Sequence, residues 1–291
     1  MLVNLKDITH VYNQYNPTVA LKDINLSISE QEFIGLIGHT GSGKSTLVQL
    51  LNGLIEPTSG TVLYNNEDIF SDKKKLKFIR QKVGLVFQYP EHQLFEESIY
   101  EDVAFGPKNL GLKKEEIKSR VKESLELVGL DYEKFKDRSP FNLSGGQQRR
   151  VAIAGVLALK PEILILDEPS AGLDPNGRNN LLELLKYLHQ DINITIILIS
   201  HRMEEVAKLA TRVIVMDEGR IVLDGSPAEV FSEEKRLREL DLDLPAVTSI
   251  LHKLNSKGVS VRTDIFDVIE AKDEIISKLQ EKNIPEEKRS C

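Results

Sequence analysis

The sequence contains no tryptophan and a single cysteine, Cys291. One thiol cannot close a disulfide within the chain, so a disulfide-stapled scaffold is excluded and a reducing compartment is expected. Cys291 reads as a solvated tail residue rather than a reactive thiol. Long apolar runs are missing too. The longest, such as 151–159 and 194–199, fall far below the ~18 residues that a spanning helix needs. Positive charge is in deficit, with 38 Lys and Arg against 45 Asp and Glu, a net charge of -7. That balance offers no basic stripe for nucleic acid and argues against broad binding to anionic lipid. The first residues, Met1 to Asp7, carry no secretory signal pattern. Membrane work is therefore expected only through partner proteins.

What is present suits a globular chain. The 291 residues are 41% hydrophobic and 29% charged, enough for about two domains of ordinary size. Alternation in Val3-Asn4-Leu5 and over 24–28 predicts strands, and the short apolar runs 33–37, 83–87 and 163–166 predict buried parallel ones. A helix is expected from about Ser45 to Leu54. Residues from about 98 to 159 read as mainly helical, with breaks at Gly106-Pro107 and Ser139-Pro140. Beyond them strand and helix alternate: 163–166, 178–189, 194–199, 203–209 and 213–216. Such alternation predicts βαβ units with a parallel sheet, an α/β fold with a helical insert. A charged stretch with two weak helical patterns, 245–254 and 267–280, follows. It gives a division into 1–231 and a small appended domain, 232–291.

Gly38-His39-Thr40-Gly41-Ser42-Gly43-Lys44-Ser45 fits the phosphate-binding pattern G-x-x-x-x-G-K-[ST] and lies between a predicted strand and a predicted helix. Glycines let backbone N–H groups wrap phosphate oxygens, and the helix start aims its positive end at the anion. Lys44 reaches the β- and γ-phosphates, and the Ser45 hydroxyl can ligate Mg²⁺. His39 reads more readily as a loop filler than as a catalytic group. A second signal is the apolar strand that ends in Asp167-Glu168. Its last residues fall at the carboxyl edge of a parallel sheet, where nucleotides bind. There Asp167 would hold Mg²⁺ and Glu168 would orient and polarise the attacking water. Alone, an Asp-Glu strand end reads equally well as an ion pair.

Between these signals lies Leu143-Ser144-Gly145-Gly146-Gln147, ahead of a helix expected near Gln148. This segment resembles the signature of ABC-transporter ATPases. In that family it binds the γ-phosphate of a nucleotide held by the opposite subunit; read alone, it is a helix start capped by Ser144. The resemblance spans about residues 2–230. It implies the P-loop ABC fold: a β subdomain, a parallel-sheet core and a helical insert. It also makes Tyr12 the adenine platform, with Tyr15 as a rival, and Thr46 a further nucleotide contact. Gln88 takes the place of the Q-loop glutamine, a sensor of Mg²⁺ and γ-phosphate. Ser170-Ala171-Gly172-Leu173-Asp174 resembles the D-loop, which brings Asp174 to the nucleotide interface. His201 takes the place of the switch histidine on the γ-phosphate. ATP and Mg²⁺ are the implied cofactors, and a dimer with a related ATPase is the implied assembly.

Two segments are more particular. Gln88-Tyr89-Pro90-Glu91-His92-Gln93-Leu94-Phe95, leading into Glu101-Asp102-Val103-Ala104-Phe105-Gly106-Pro107, is similar to the ATPases of energy-coupling factor (ECF) importers. The continuation from Arg149-Arg150-Val151-Ala152 is similar as well. The stretch from Gly38 to Leu54 looks like the second of the two paralogous ATPases in those systems, and the extension resembles the family's small dimerising domain. Glu30-Gln31-Glu32 departs from the pattern, since a glycine usually precedes the strand. The resemblance implies uptake of vitamins or transition-metal ions into prokaryotic cells. The ATPase would sit at the cytoplasmic face of the membrane, with a membrane scaffold (T) and substrate-capturing (S) subunits. Glu91 or its acidic neighbours, Glu96 and Glu97, are then expected to pair with arginines of the scaffold, although acids near a helix start are favourable in themselves. Two rivals remain. The first is another ABC transporter class. The second is a soluble ABC protein, but the paired cassettes, coiled-coil insertion or zinc cysteines usual there are missing.

Overall fold

The computed structural model describes residues 1–12 and 17–282, so Tyr15 and Cys291 lie outside the described residues. Strands β1 (Val3–Tyr12), β2 (Thr18–Ile28), β4 (Ser59–Tyr64) and β5 (Glu67–Asp68) form an antiparallel sheet in the order β2-β1-β4-β5. Strands β3 (Phe33–Ile37), β6 (Val83–Val86), β7 (Ile163–Asp167), β8 (Thr195–Ile199), β9 (Arg212–Asp217) and β10 (Arg220–Gly225) form the second sheet, in the order β10-β9-β3-β8-β7-β6. That sheet is parallel apart from its β10 edge.

Alternation along the central strands decides the layers. On β7, Ile163 and Ile165 pack with Leu47 and Leu50 of helix Lys44–Leu51, and with Leu5 and Ile24 of the antiparallel sheet. Leu164 and Leu166 face the other way, towards Val103, Val121 and Ile153 of the helical insert and Leu185 of helix Pro175–Gln190. β8 repeats the division, with Ile197 and Ile199 on one side and Ile196 and Leu198 on the other. Strands covered on both faces need apolar residues at every position, which is why the sequence shows unbroken runs there.

The insert carries helices Ile99–Asn109, Lys114–Leu127, Tyr132–Phe135 and Gly145–Leu157. The break expected at Gly106-Pro107 does not occur, and the first of these helices runs through both residues. Pro107 is buried in the last turn, where its missing N–H costs one bond. Gly106 admits Leu159 so closely that a Cβ would lie 2.7 Å from its Cδ2. Helix Gly145–Leu157 starts earlier than expected, because Ser144 and Gln147 close a reciprocal capping box.

Gln31 fills the position where a glycine was expected. Its φ is 59°, in the left-handed region, and its N–H donates to Thr195 Oγ1 at 2.9 Å. Towards the C-terminus, Phe231, Leu237, Leu242 and Leu244 share one apolar cluster with Met203, Val206 and Val215. Cassette packing thus continues past residue 231. A separate small cluster of Leu251, Val261, Ile265 and Ala271 joins helices Ala246–Ser256 and Val268–Lys282.

Candidate active site

Parallel strands deliver their carboxyl ends to one edge, and the sequence candidates are distributed over those ends. The glycine-rich loop follows β3, Gln88 follows β6, Asp167 ends β7, and Ser200-His201 follow β8. The loop has no room for side chains at two of its glycines. A Cβ on Gly38 would sit 2.3 Å from the Met216 carbonyl oxygen, and one on Gly43, at φ 103°, would sit 2.6 Å from that of Ala20. Lys44 folds into the loop, its ammonium donating to the Gly38 carbonyl at 2.6 Å and the His39 carbonyl at 2.9 Å. Burial pushes the Lys44 pKa down, against the opposing pull of Asp167 and Glu168.

Across the sheet, the Ser45 hydroxyl donates to Asp167 Oδ2 at 3.3 Å. Burial, and then the Glu168 charge, raise the Asp167 carboxyl above its ordinary pKa. Register explains the next contact. Asp167 pairs with Ile199, and the Glu168 N–H continues the ladder to the Ile199 carbonyl at 2.9 Å. That places Glu168 beside the turn carrying His201, and its Oε1 lies 2.9 Å from His201 Nε2. Gln88 Nε2 donates to Glu168 Oε2 at 3.3 Å. Glu168 holds φ 47°, a conformation uncommon outside glycine and asparagine and often found where a side chain must be aimed. Lys44, Ser45, Gln88, Asp167, Glu168 and His201 therefore converge within one chain.

The donors around Ser45 are a hydroxyl and carboxylate oxygens, which suits a hard cation. Among the described residues no group of three or more His, Cys, Asp or Glu could hold a metal. Such a sparse set fits Mg²⁺, which is typically held by one or two carboxylates and completed by substrate phosphates and water.

Tyr12 ends β1, is 40% exposed, and meets Thr46 Oγ1 through its hydroxyl at 3.3 Å. It thus flanks the start of helix Lys44–Leu51, with the His10 ring packed against it at 4.6 Å between centroids. His39 is a tether of the loop. Its Nδ1 donates to the Thr40 carbonyl at 2.7 Å and its Nε2 meets Asp217 Oδ1 at 2.8 Å. Two acceptors on one ring favour the imidazolium, and these bonds raise its pKa, the Thr40 carbonyl first and Asp217 next. Gly41, at φ 86°, has open space where a Cβ would point.

Ser144, Gly145, Gly146, Gln147 and Asp174 lie elsewhere. They line a cleft of about 850 Å³ together with Tyr89 and the D-loop. Asp174 caps helix Pro175–Gln190 through the Gly177 N–H at 2.7 Å. Glu91 is not free for an outside arginine, which leaves the expected scaffold pairing to Glu96 and Glu97. It lies in a turn of 3-10 helix, Pro90–Gln93, and Arg149 grips its carboxylate at 3.1 Å. Arg149, only 4% exposed, also donates to the carbonyls of Pro169 at 2.6 Å and Ala171 at 2.9 Å. This role of Arg149 is not legible in the sequence, and neither is that of Glu205, whose carboxylate takes the Ser170 and Ser200 hydroxyls. An arginine in a helix start and an acid beside another acid carry no burial signal in sequence alone.

Comparison with known proteins gives the family. Residues 21–171 match the ABC transporter family. The chain is an ATPase of that family, the class that the phosphate loop and the carboxylate edge define. It belongs, more particularly, to the energy-coupling factor transporter ATP-binding proteins. It is 55% identical over 278 residues to the EcfA2 protein of Clostridium tetani, covering 95% of this chain and 96% of the relative. It is 52% identical to that of Clostridium perfringens, covering 97% and 100%. Among solved structures, cbiO1 of Clostridium perfringens, described as part of the ABC transporter complex cbiONQ, superposes with a TM-score of 0.73. It is 41% identical, covering 86% of this chain and 98% of that one. The ATP-binding cassette MJ0796, described as a dimer in a post-hydrolysis state with ADP and Pi, gives 0.69 at 32% identity, covering 78% and 99%.

Proposed function

We propose that this chain is the ATP-hydrolysing subunit of an importer, and that it works in a dimer on the cytoplasmic face of the membrane. The observation that carries the reading is the convergence of Lys44, the Ser45–Asp167 pair and the Glu168–His201 pair on one sheet edge. In this reading the loop N–H groups of 38–45 and the start of helix Lys44–Leu51 cradle the phosphates. Lys44 leaves the loop carbonyls for the β- and γ-phosphate oxygens. Tyr12 would stack on adenine, and Thr46, beside it, would be a further nucleotide contact. Ser45, Asp167 and Gln88 would hold Mg²⁺, which would neutralise phosphate charge. Glu168 orients and polarises the attacking water, and His201 contacts the γ-phosphate.

Ser144, Gly145, Gly146, Gln147 and Asp174 serve the nucleotide of the opposite subunit, a related ATPase. The cleft they line and the dimeric cassette that this chain superposes on both support that arrangement. The cassette runs past the boundary expected at 231 to about residue 244, since Leu237, Leu242 and Leu244 pack into its apolar cluster, and the residues after that act as an extension that helps hold the dimer. Among the described residues no helix is long and apolar enough to cross a membrane, and the likeness to energy-coupling factor relatives supports docking on a membrane scaffold with substrate-capturing subunits. Vitamins or transition-metal ions are the substrates that this reading favours. The test is uptake and hydrolysis by the assembled transporter, beside the same chain kept strictly monomeric. Assembly should raise hydrolysis by on the order of tenfold or more, because half of each site is missing from a monomer. Full-rate hydrolysis by the monomer would refute the shared-site arrangement.

A further inference from the structure

Glu205 lies in helix Met203–Leu209, one helical turn beyond His201, and its side chain is 3% exposed. A carboxylate buried this deeply is costly unless its oxygens are bonded. Its Oε2 accepts from Ser170 Oγ at 2.9 Å and from Ser200 Oγ at 3.1 Å. Its Oε1 faces the Nε atoms of Arg178 and Arg202, each at 3.7 Å. Both serines are 3% exposed. Ser200 adjoins His201, and its hydroxyl also accepts from the Arg202 N–H at 3.0 Å, which closes the turn around the histidine. Ser170 follows Glu168 by one intervening residue, Pro169. The two serines thus belong to the two loops that carry the 2.9 Å Glu168–His201 pair.

We propose that Glu205 is a positioning residue for hydrolysis: by taking one hydroxyl from each loop it holds Glu168 and His201 in register with each other. A plain helix-dipole role does not need this burial. Glu204, also in the first turn, would serve the dipole equally well, and its carboxylate instead accepts from the Ala246 N–H. What only Glu205 supplies is a single acceptor atom shared by the D-loop and the switch loop. This inference rests on the reading in which Glu168 and His201 act at the γ-phosphate.

The test uses full-length chain in the assembled transporter, with single-turnover hydrolysis and ATP binding measured separately. Glu205→Ala should slow hydrolysis about ten- to a hundredfold, the loss expected from a misplaced reacting group, with the ATP Kd within about twofold. Glu205→Gln keeps a side-chain carbonyl that can accept both hydroxyls, and should restore most of the rate. In a Glu168→Gln background, Glu205→Ala should cost no more than about twofold further, since one partner of the register it keeps has gone. A loss that multiplies in full in that background, or a parallel fall of rate and affinity, would overturn the proposal. So would an unchanged rate in Glu205→Ala beside a Glu168→Gln chain that no longer hydrolyses. If Glu205→Ala does not fold, Ser170→Ala and Ser200→Ala take its place, and each should slow hydrolysis severalfold; normal rates in both would overturn the proposal. Near-normal hydrolysis by Glu168→Gln alone would remove the underlying site reading, and this proposal with it.

Discussion

Arg149→Ala removes a buried guanidinium that ties helix Gly145–Leu157 to two loops, the turn after β6 and the loop after β7. In the native chain its Nη2 and Nε grip the Glu91 carboxylate at 3.1 and 3.3 Å, and its Nη1 bonds the Pro169 and Ala171 carbonyls. The alanine variant leaves two carbonyl acceptors and one carboxylate without their donor. Breaking a buried pair from one side costs roughly 3–5 kcal/mol. The Glu91 side chain is 20% exposed, so water recovers part of its solvation and the expected loss lies at the lower end, about 3 kcal/mol. Against a typical total of about 5–15 kcal/mol, the variant should fold but unfold at clearly lower denaturant. Arg149→Lys keeps the charge without the planar fork and should lose about 1–2 kcal/mol. Urea unfolding of the wild-type chain, both variants and the Glu91→Ala, Arg149→Ala double variant gives the losses and the coupling. A loss under about 1 kcal/mol for Arg149→Ala, or strict additivity with Glu91→Ala, would refute the argument that this ion pair organises the loops.

Glu168→Gln should bind MgATP at least as well as wild type, since it removes a negative charge near the phosphates, and should slow hydrolysis by on the order of a hundredfold or more; steady-state turnover and nucleotide binding check both halves. The raised pKa of His39 means that its tether is fully present below the ordinary histidine value and is lost as pH rises through the folded value. His39→Gln should therefore flatten the pH dependence of the unfolding midpoint between about pH 6 and 8, and unchanged curvature would count against the tether. Truncation after residue 231 removes Leu237, Leu242 and Leu244 from the cluster around Phe231 and should cost about 5 kcal/mol or more at ~1.5–3 kcal/mol per buried leucine. Truncation after 244 should spare the cassette while weakening subunit pairing, which thermal unfolding and sizing would reveal. Charge reversal at Glu96 and Glu97, leaving Glu91 to Arg149, should lower co-purification with the membrane scaffold while ATP binding by the isolated chain survives.

The sequence by itself determined a great deal here, for a physical reason. A phosphate cradle needs glycines at fixed spacing, and a strand buried on both faces needs an unbroken apolar run, so 38–45 and 163–168 are legible without coordinates. The same holds for Ser144, whose capping partner is a near neighbour in the chain. What only the tertiary structure decided depends on groups far apart in sequence. Glu168 meets His201 because β7 and β8 pair in one register. Glu91 is taken by Arg149 because the 145–157 helix packs on the turn after β6. Pro107 stays helical because its burial in the insert outweighs one lost hydrogen bond. Gln31 tolerates a left-handed backbone because Thr195, on a distant strand, accepts its N–H. Local patterns reveal what the backbone must do at one place; the identity of a side chain's partner is fixed only when strands are laid side by side.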